Sequence, residues 1–241
     1  MQTAEVDLLD VDPFDLVADE PPFDDLFDQL KAFLDQMRVK HLPGLHDQHS
    51  HGHHGGFREL TSAEALAMQA EMLKGAPWTQ QQEDALAEFS SDAYKQVNGL
   101  LRGTVELDAD DRAAYTQVAR DAHAGMRPTA KPMRVFRKAS FEAFGIDPDN
   151  TAAVLALAGT RRQDAGIVSA SIDKDAIPGG RLGVDMEIEV PEGTLAAYLE
   201  SISDTPEELE WVLDAGLDYD IISATEGRGG TVQMKVRVVS A

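Results

Sequence analysis

Two hydrophobic periods divide the chain. Between residues 62 and 125, apolar positions recur every three or four residues, as on one face of a helix. "SAEALAMQAEML" (62–73), "TQQQEDALAEFSSDAYKQVNGLLRG" (79–103) and "DADDRAAYTQVARDAHAG" (108–125) are the three helices this predicts. The second carries a Thr79/Gln82 capping box, and the third has acids at its start and Gly125 near its end. From residue 133 the period falls to two. "MRVFRKAS" and "GIVSASI" are short β-prone runs. "LGVDMEIEVP" turns Val184, Met186, Ile188 and Val190 inward against Asp185, Glu187 and Glu189. "YDIISATE" follows, and "TVQMKVRVV" turns Val232, Met234, Val236 and Val238 inward against Gln233, Lys235 and Arg237. Helices first and strands later predict an α+β domain with helices packed on a mostly antiparallel sheet.

One stretch fits both periods. In "TPEELEWVLDAG" (205–216), Thr205 can serve as N-cap, Pro206 as first helical residue and Glu208 as the closing member of a capping box. As an extended segment, the same residues place Glu208 and Glu210 side by side, because residues two apart on a strand share a face. On a helix those carboxylates stand roughly 200° apart and cannot share a substrate. Local propensity leans to the helix and leaves the choice open.

Ahead of the folded pattern lie three segments. Residues 1–22 carry many acids and no base, the composition of a solvated tail, although Leu8, Leu9, Phe14, Leu16 and Val17 would suit a docking peptide. Residues 23–40 repeat apolar side chains at Phe23, Leu26, Phe27, Leu30, Phe33, Leu34 and Met37, an amphipathic helix whose stripe must be covered by something. Residues 41–58 form a His/Gly-rich linker holding six of the seven histidines. Their spacing matches no ordered zinc site, and no metal is assigned. Residues 59–241 form the main domain. Within the linker region, "VKHLPGLHDQHSHG" resembles a short motif, roughly VKHLPGQHDQxxHG, of virion and head-assembly proteins of tailed phages. That resemblance implies a virion-associated protein whose residues 1–40 meet phage head or portal proteins and whose enzyme acts in the host cytoplasm.

A formal net charge of −22 over 241 residues opposes generic binding to nucleic acid or to anionic membranes. No cysteine is present, which excludes a disulfide framework, a thiolate nucleophile and a zinc–thiolate site. No apolar run approaches the roughly 18 residues of a membrane span, and the N-terminus lacks a basic segment before an apolar one.

Four short motifs then stand in order: "YKQVNGLLRG", "VFRKA" with Arg137, "GIVSASI" with Ser169-Ala170-Ser171, and "ELEWVLDAG" with Glu208 and Glu210. In that order and spacing the domain resembles the R-S-E class of mono-ADP-ribosyltransferases of the clostridial C2- and C3-like toxin type. The middle Thr of the family's Ser-Thr-Ser strand is Ala170 here. The resemblance implies a split-sheet ADP-ribosyltransferase fold, NAD as substrate and a protein as acceptor. It implies that a Glu at the position of Glu208 goes with arginine acceptors, and that "IPGGRLG" is a mobile loop from which Arg181 could reach the dinucleotide. It also decides the ambiguous stretch in favour of a loop running into a strand.

The residues suit that chemistry in their own right. Cleaving the nicotinamide–ribose bond develops positive charge at the anomeric carbon, which a fixed carboxylate, Glu210, stabilises. A pyrophosphate calls for a guanidinium fork, which Arg137 offers. Ser169 can orient the glutamate, with Ser171 beside it, and Glu208 can orient and deprotonate the incoming nucleophile. Glu187-x-Glu189 has the same spacing as Glu208-x-Glu210 but lies on the polar side of an alternating strand, where solvated carboxylates are expected. "IPGGRLG" precedes a strand, so it is no phosphate-binding P-loop. His123 reads as a structural or exposed helix residue. Two rival readings keep the fold: a head-associated structural protein with an inactive transferase-like domain, and an NAD glycohydrolase that uses water as acceptor.

Overall fold

The structure, a computed structural model, describes residues 56–177 and 183–239. The acidic segment 1–22, the expected helix 23–40, nearly all of the linker 41–58 and Arg181 lie outside the described residues.

The helices come first, as their period predicts. Helix α1 (Ser62–Met72) opens with a complete capping box between Thr61 and Glu64. Helix α2 (Gln80–Glu88) opens with the Thr79/Gln82 box read from the sequence. Its C-terminus is where expectation and structure part. The run from 79 to 103 is not one helix: a π-helical turn at Phe89–Ala93 separates α2 from α3 (Tyr94–Arg102). Helix α4 (Ala109–Gly125) is capped by Asp108, whose side chain accepts from the Asp111 backbone NH.

The remainder is a nine-stranded sheet among the described residues, with a single-turn helix α5 (Thr151–Leu155). The strands are β1 (Arg127–Pro128), β2 (Met133–Ala139), β3 (Arg161–Asp164), β4 (Val168–Ser171), β5 (Val184–Val190), β6 (Leu195–Tyr198), β7 (Glu210–Leu213), β8 (Leu217–Glu226) and β9 (Val232–Val238). Their order across the sheet is β1-β6-β7-β4-β2-β5-β9-β8-β3, antiparallel at every pairing except β5 with β9. The expected α+β class with a mostly antiparallel sheet is the one observed.

Two cores flank the sheet. One gathers the inward residues of the long strands, including Val135, Met186, Ile188, Met234 and Val236, with Trp211 and Tyr198 stacked at 5.3 Å. The other packs Leu86, Phe89, Val97 and Val118 of the helices on Ile167, Leu199 and Val212. Each large apolar side chain so buried contributes about 1.5–3 kcal/mol. Because β4 and β7 carry alternate residues into opposite cores, their faces are assigned. Trp211 and Leu213 enter the first core and Val212 the second, so Glu210 projects on the helix side.

The expectation for Glu189 is corrected. It is buried rather than solvated, held by Lys235 at 2.7 Å and Arg237 at 2.6 Å. The parallel register sets Glu187 beside Lys235 and Glu189 beside Arg237, which a single-strand pattern cannot show. These charges hold its carboxyl below the ordinary range, against the opposing effect of burial.

Candidate active site

Between the helices and the β2-β4-β7 part of the sheet lies a cleft of about 580 Å³. Glu208, Glu210, Arg137, Ser169 and Ser171 all line it. The loop that follows β6 reaches it through a 3-10 turn, Pro206–Glu208, and β7 begins at Glu210. The capped-helix alternative for this stretch is therefore not realised, and Thr205 makes no N-cap hydrogen bond. Leu209, between the two glutamates, adopts φ 50°, the one positive φ of a non-glycine residue among those described. This left-handed residue, rather than the pleat of a strand, brings both carboxylates to one cleft.

Glu210 stands opposite Ser171 in the β4–β7 ladder, and Ser169 is two residues along on the same face. Its carboxylate accepts a hydrogen bond from the Ser90 hydroxyl, with Ser169 on the neighbouring strand. Burial raises its pKa above the ordinary carboxylate value, the Glu208 charge adds to this, and the two hydroxyls oppose it. Glu208 is raised as well, by burial and by the neighbouring Glu207, with the Thr205 hydroxyl opposing. Ser171 is buried, and its hydroxyl oxygen accepts from the Asp173 backbone NH at 3.0 Å.

Arg137 arrives by a less direct route. It pairs with Met186 across β5, so strict alternation points it away from Ser169 and Glu210. Strands β2 and β4, however, share the single pair Phe136 and Ser171. At this seam the Arg137 guanidinium donates from Nη1 to the Ser169 carbonyl at 3.4 Å, and the residue lines both the cleft and a smaller pocket with Asp164 and Tyr219 on the other side of the sheet. Burial lowers its pKa, with Asp164 opposing. Lys138, on the cleft side of the pleat, is a second cation lining the same space.

Helix α3 fixes where β4 begins. The Asn98 side chain brackets Ile167, accepting from its NH at 2.8 Å and donating to its carbonyl at 3.0 Å. Arg102 grips Asp164 with two bonds of 2.9 and 3.0 Å. Gly166 lies between them, and a Cβ there would fall 2.6 Å from Asn98 Oδ1. Sequence reading missed Ser90 and Lys138. Ser90 sits inside a run whose apolar spacing predicts an unbroken helix, so no local signal marks it. Lys138 is legible only once the pleat of β2 is known. Among the described residues no group of three or more potential metal ligands occurs, and no helix is long and apolar enough to cross a membrane.

Residues 57–239 match the family model described as ADP-ribosyltransferase exoenzyme. The chain belongs to that family. Solved structures of similar fold include an ADP-ribosyltransferase of Clostridium botulinum (TM-score 0.63, 19% identity, 77% of this chain and 100% of that one). The C3 exoenzyme of Clostridium limosum is also similar (TM-score 0.61, 19% identity, 77% and 98%). So is the ADP-ribosylating toxin of a Clostridium perfringens binary enterotoxin, solved with NADH (TM-score 0.63, 16% identity, 74% and 47%). At these identities the likeness is one of fold. No functionally curated protein matches the chain in sequence. ADP-ribosyltransferases of this family use NAD as their substrate, and NAD-dependent ADP-ribosylation is the activity the family assignment supports.

Proposed function

We propose that this ADP-ribosyltransferase moves ADP-ribose from NAD to a protein side chain, arginine by preference, and releases nicotinamide. The observation that carries the reading is the pair Glu208 and Glu210, brought to one cleft with Ser169 and Arg137. The cleft volume falls within the roughly 300–1,000 Å³ of small-molecule sites. Arg137, with Lys138 beside it, suits the pyrophosphate, and Glu210 suits the ribose of the nicotinamide half. As the glycosidic bond breaks, the buried Glu210 carboxylate stabilises positive charge at the anomeric carbon, and the nicotinamide leaves as a neutral amide. Glu208, half-buried nearer the mouth, orients the acceptor guanidinium and takes the proton displaced when its nitrogen bonds to that carbon. Arg137, Ser169 and Glu210 together are the reading of this cleft as an R-S-E site. Incubation with adenine-labelled NAD and a bacterial lysate tests the whole. Labelled protein with the modification mapped to arginine by mass spectrometry is expected. Free ADP-ribose as sole product makes the protein an NAD glycohydrolase, and no turnover makes the domain an inactive, structural one.

The same proposal extends to delivery. The likeness of residues 39–52 to a tailed-phage virion motif supports a head-associated effector, carried by residues 1–40 and active in the host cytoplasm. Deleting residues 1–40 is then expected to abolish co-purification with phage heads while leaving NAD turnover in place. Undiminished co-purification would remove this part of the reading alone.

A further inference from the structure

The catalytic carboxylate proposed above, that of Glu210, is flanked from two sides. Ser169 shares its face on the adjacent strand, and Ser90 donates to it from the π-helical turn between α2 and α3. That turn is not demanded by packing. Leu86, Phe89, Ala93, Val97 and Leu100, all buried, follow one another at three- and four-residue steps that suit an unbroken helix. Wide turns of this kind concentrate at functional sites. Here the turn sets Ser90 over Oε2 of Glu210.

The contacts do not stop at Ser90. Its Oγ lies 3.3 Å from Ser203 Oγ, and Ser203 Oγ lies 3.3 Å from Thr205 Oγ1. The Glu208 backbone NH donates to the Thr205 carbonyl at 3.0 Å. Ser203 Oγ also accepts from the Thr205 backbone NH at 3.1 Å, and the Ser203 NH donates to the Leu199 carbonyl at 2.8 Å. Three hydroxyls on two separate elements thus form a continuous line from the Glu210 carboxylate to the loop that carries Glu208. Glu208 sits on the loop ahead of β7, so the line ties that loop to the helix pair.

We propose that Ser90 is a positioning residue for ADP-ribose transfer, fixing the Glu210 carboxylate and, through Ser203 and Thr205, setting the Glu208 loop in register with it. The inference rests on the assignment of Glu210 and Glu208 to the reaction. Its physical basis is that a carboxylate must face the anomeric carbon within narrow limits of position to act, and a side chain with free torsions loses that alignment. A hydroxyl donating to Oε2 removes that freedom without adding charge. The link through Ser203 ties the loop that carries Glu208 to the Glu210 carboxylate, so that bond cleavage and acceptor attack are aligned together.

The test uses the full chain. Ser90→Ala is expected to lower kcat for nicotinamide release about 10- to 100-fold, the range for one hydrogen bond to a charged group. The KM for NAD should stay within about twofold, since Ser90 holds the enzyme's carboxylate rather than the dinucleotide. A donor that favours the ionised form is gone, so the acid limb of the kcat–pH profile moves to higher pH. Ser90→Thr, which keeps the hydroxyl, should recover most of the rate. Ser203→Ala breaks the line without touching Glu210 and should reduce transfer to acceptor protein more than nicotinamide release. A Ser90→Ala protein with unchanged kcat and acid limb, or one whose whole loss lies in KM, overturns the proposal; so does Ser90→Thr as slow as Ser90→Ala. An unchanged ratio of transfer to release in Ser203→Ala overturns the coupling. Titration of the Glu210 carboxyl by carbon-13 NMR, assigned with Glu210→Gln, reads the same contact without turnover. There Ser90→Ala must raise the Glu210 pKa, and no change overturns the role. A wild-type chain that cleaves no NAD defeats the functional reading, and the NMR titration still decides the part played by Ser90.

Discussion

Leu209 holds a left-handed backbone, φ 50°, between two carboxylates that both resist ionisation. For an L-residue that conformation costs roughly 1–2 kcal/mol. Burial of the Glu210 carboxylate adds a second cost, since its folded pKa lies above the unfolded one. Between those two pKa values the native state binds more protons, so stability falls as pH rises through that window. Glu210→Gln is therefore expected to melt higher than wild type at pH 7.5, by roughly 2–4 °C for each kcal/mol relieved. The same change should cut nicotinamide release about 100- to 1,000-fold, as for loss of a group that stabilises transition-state charge. A Glu210→Gln protein that melts no higher and turns over NAD at the wild-type rate removes Glu210 from the mechanism. Glu208→Gln should part the two half-reactions, keeping NAD hydrolysis while losing transfer to protein about 100-fold. Activity should also fall on acidification from a pH above the usual carboxylate value near 4.3, because both groups must ionise; a rate profile that is flat down to pH 5 contradicts this. Glu208, Glu210 and Ser169 were legible in the sequence through their spacing and the resemblance it carries. Their common cleft was legible too, though by the wrong cause: a turn and a left-handed residue, not a strand's alternation, align the glutamates.

Elements carry the site by gripping one another. The α3 side chains Asn98 and Arg102 clamp the β3–β4 turn, and Gly166 is there because nothing larger fits between them. Gly166→Ala is expected to destabilise the fold by about 1–3 kcal/mol, the usual range for overpacking, readable as a lower urea midpoint. An unshifted midpoint would mean that the turn yields freely. On the other side of the helices, buried His123 of α4 lies 2.8 Å from Asp214 at the end of β7. Burial works against its charged form, but the hydrogen bond and charge of Asp214 prevail and its pKa is raised. The stability this pair supplies is complete below the unfolded pKa near 6.5 and is lost as pH rises through the higher folded value. The destabilisation caused by His123→Gln should accordingly be larger at pH 5.5 than at pH 9, and equal losses at both would exclude a charged pair. The period of the long strands made β2, β5 and β9 readable. Strand β3, "RRQD", is exposed or half-buried throughout and offers no alternation, and β6, "LAAY", is a four-residue apolar run with no polar residue to alternate against. Both were invisible for that reason. The burial of Glu189 was equally hidden, since it depends on a parallel neighbour 48 residues away.

At the scale of the whole molecule, the question is where the folded enzyme begins. The family match starts at residue 57, and the first described residues already make contacts with the sheet. The Arg134 backbone NH donates to the Arg58 carbonyl at 2.9 Å, which ties residue 58 to β2. The Phe57 ring lies 5.2 Å from the Arg237 guanidinium, which is itself bound to buried Glu189. Thr61 then caps α1. These contacts tie residues 57–61 to β2, β9 and α1 in turn. A chain that starts at residue 56 should keep the melting temperature of the domain and its NAD turnover. A chain that starts at residue 62 loses the cap, the cation–π contact and the backbone hydrogen bond together. Loss of the Thr cap alone costs about 1 kcal/mol, and an exposed cation–π contact about 0.5–1 kcal/mol. With roughly 2–4 °C per kcal/mol at this size, the shorter chain should melt several degrees lower than the longer one. Its KM for NAD should change little, since residues 57–61 do not line the cleft. Equal melting temperatures for the two chains would show that the strap formed by residues 57–61 contributes nothing, and that the domain is defined from α1 onward.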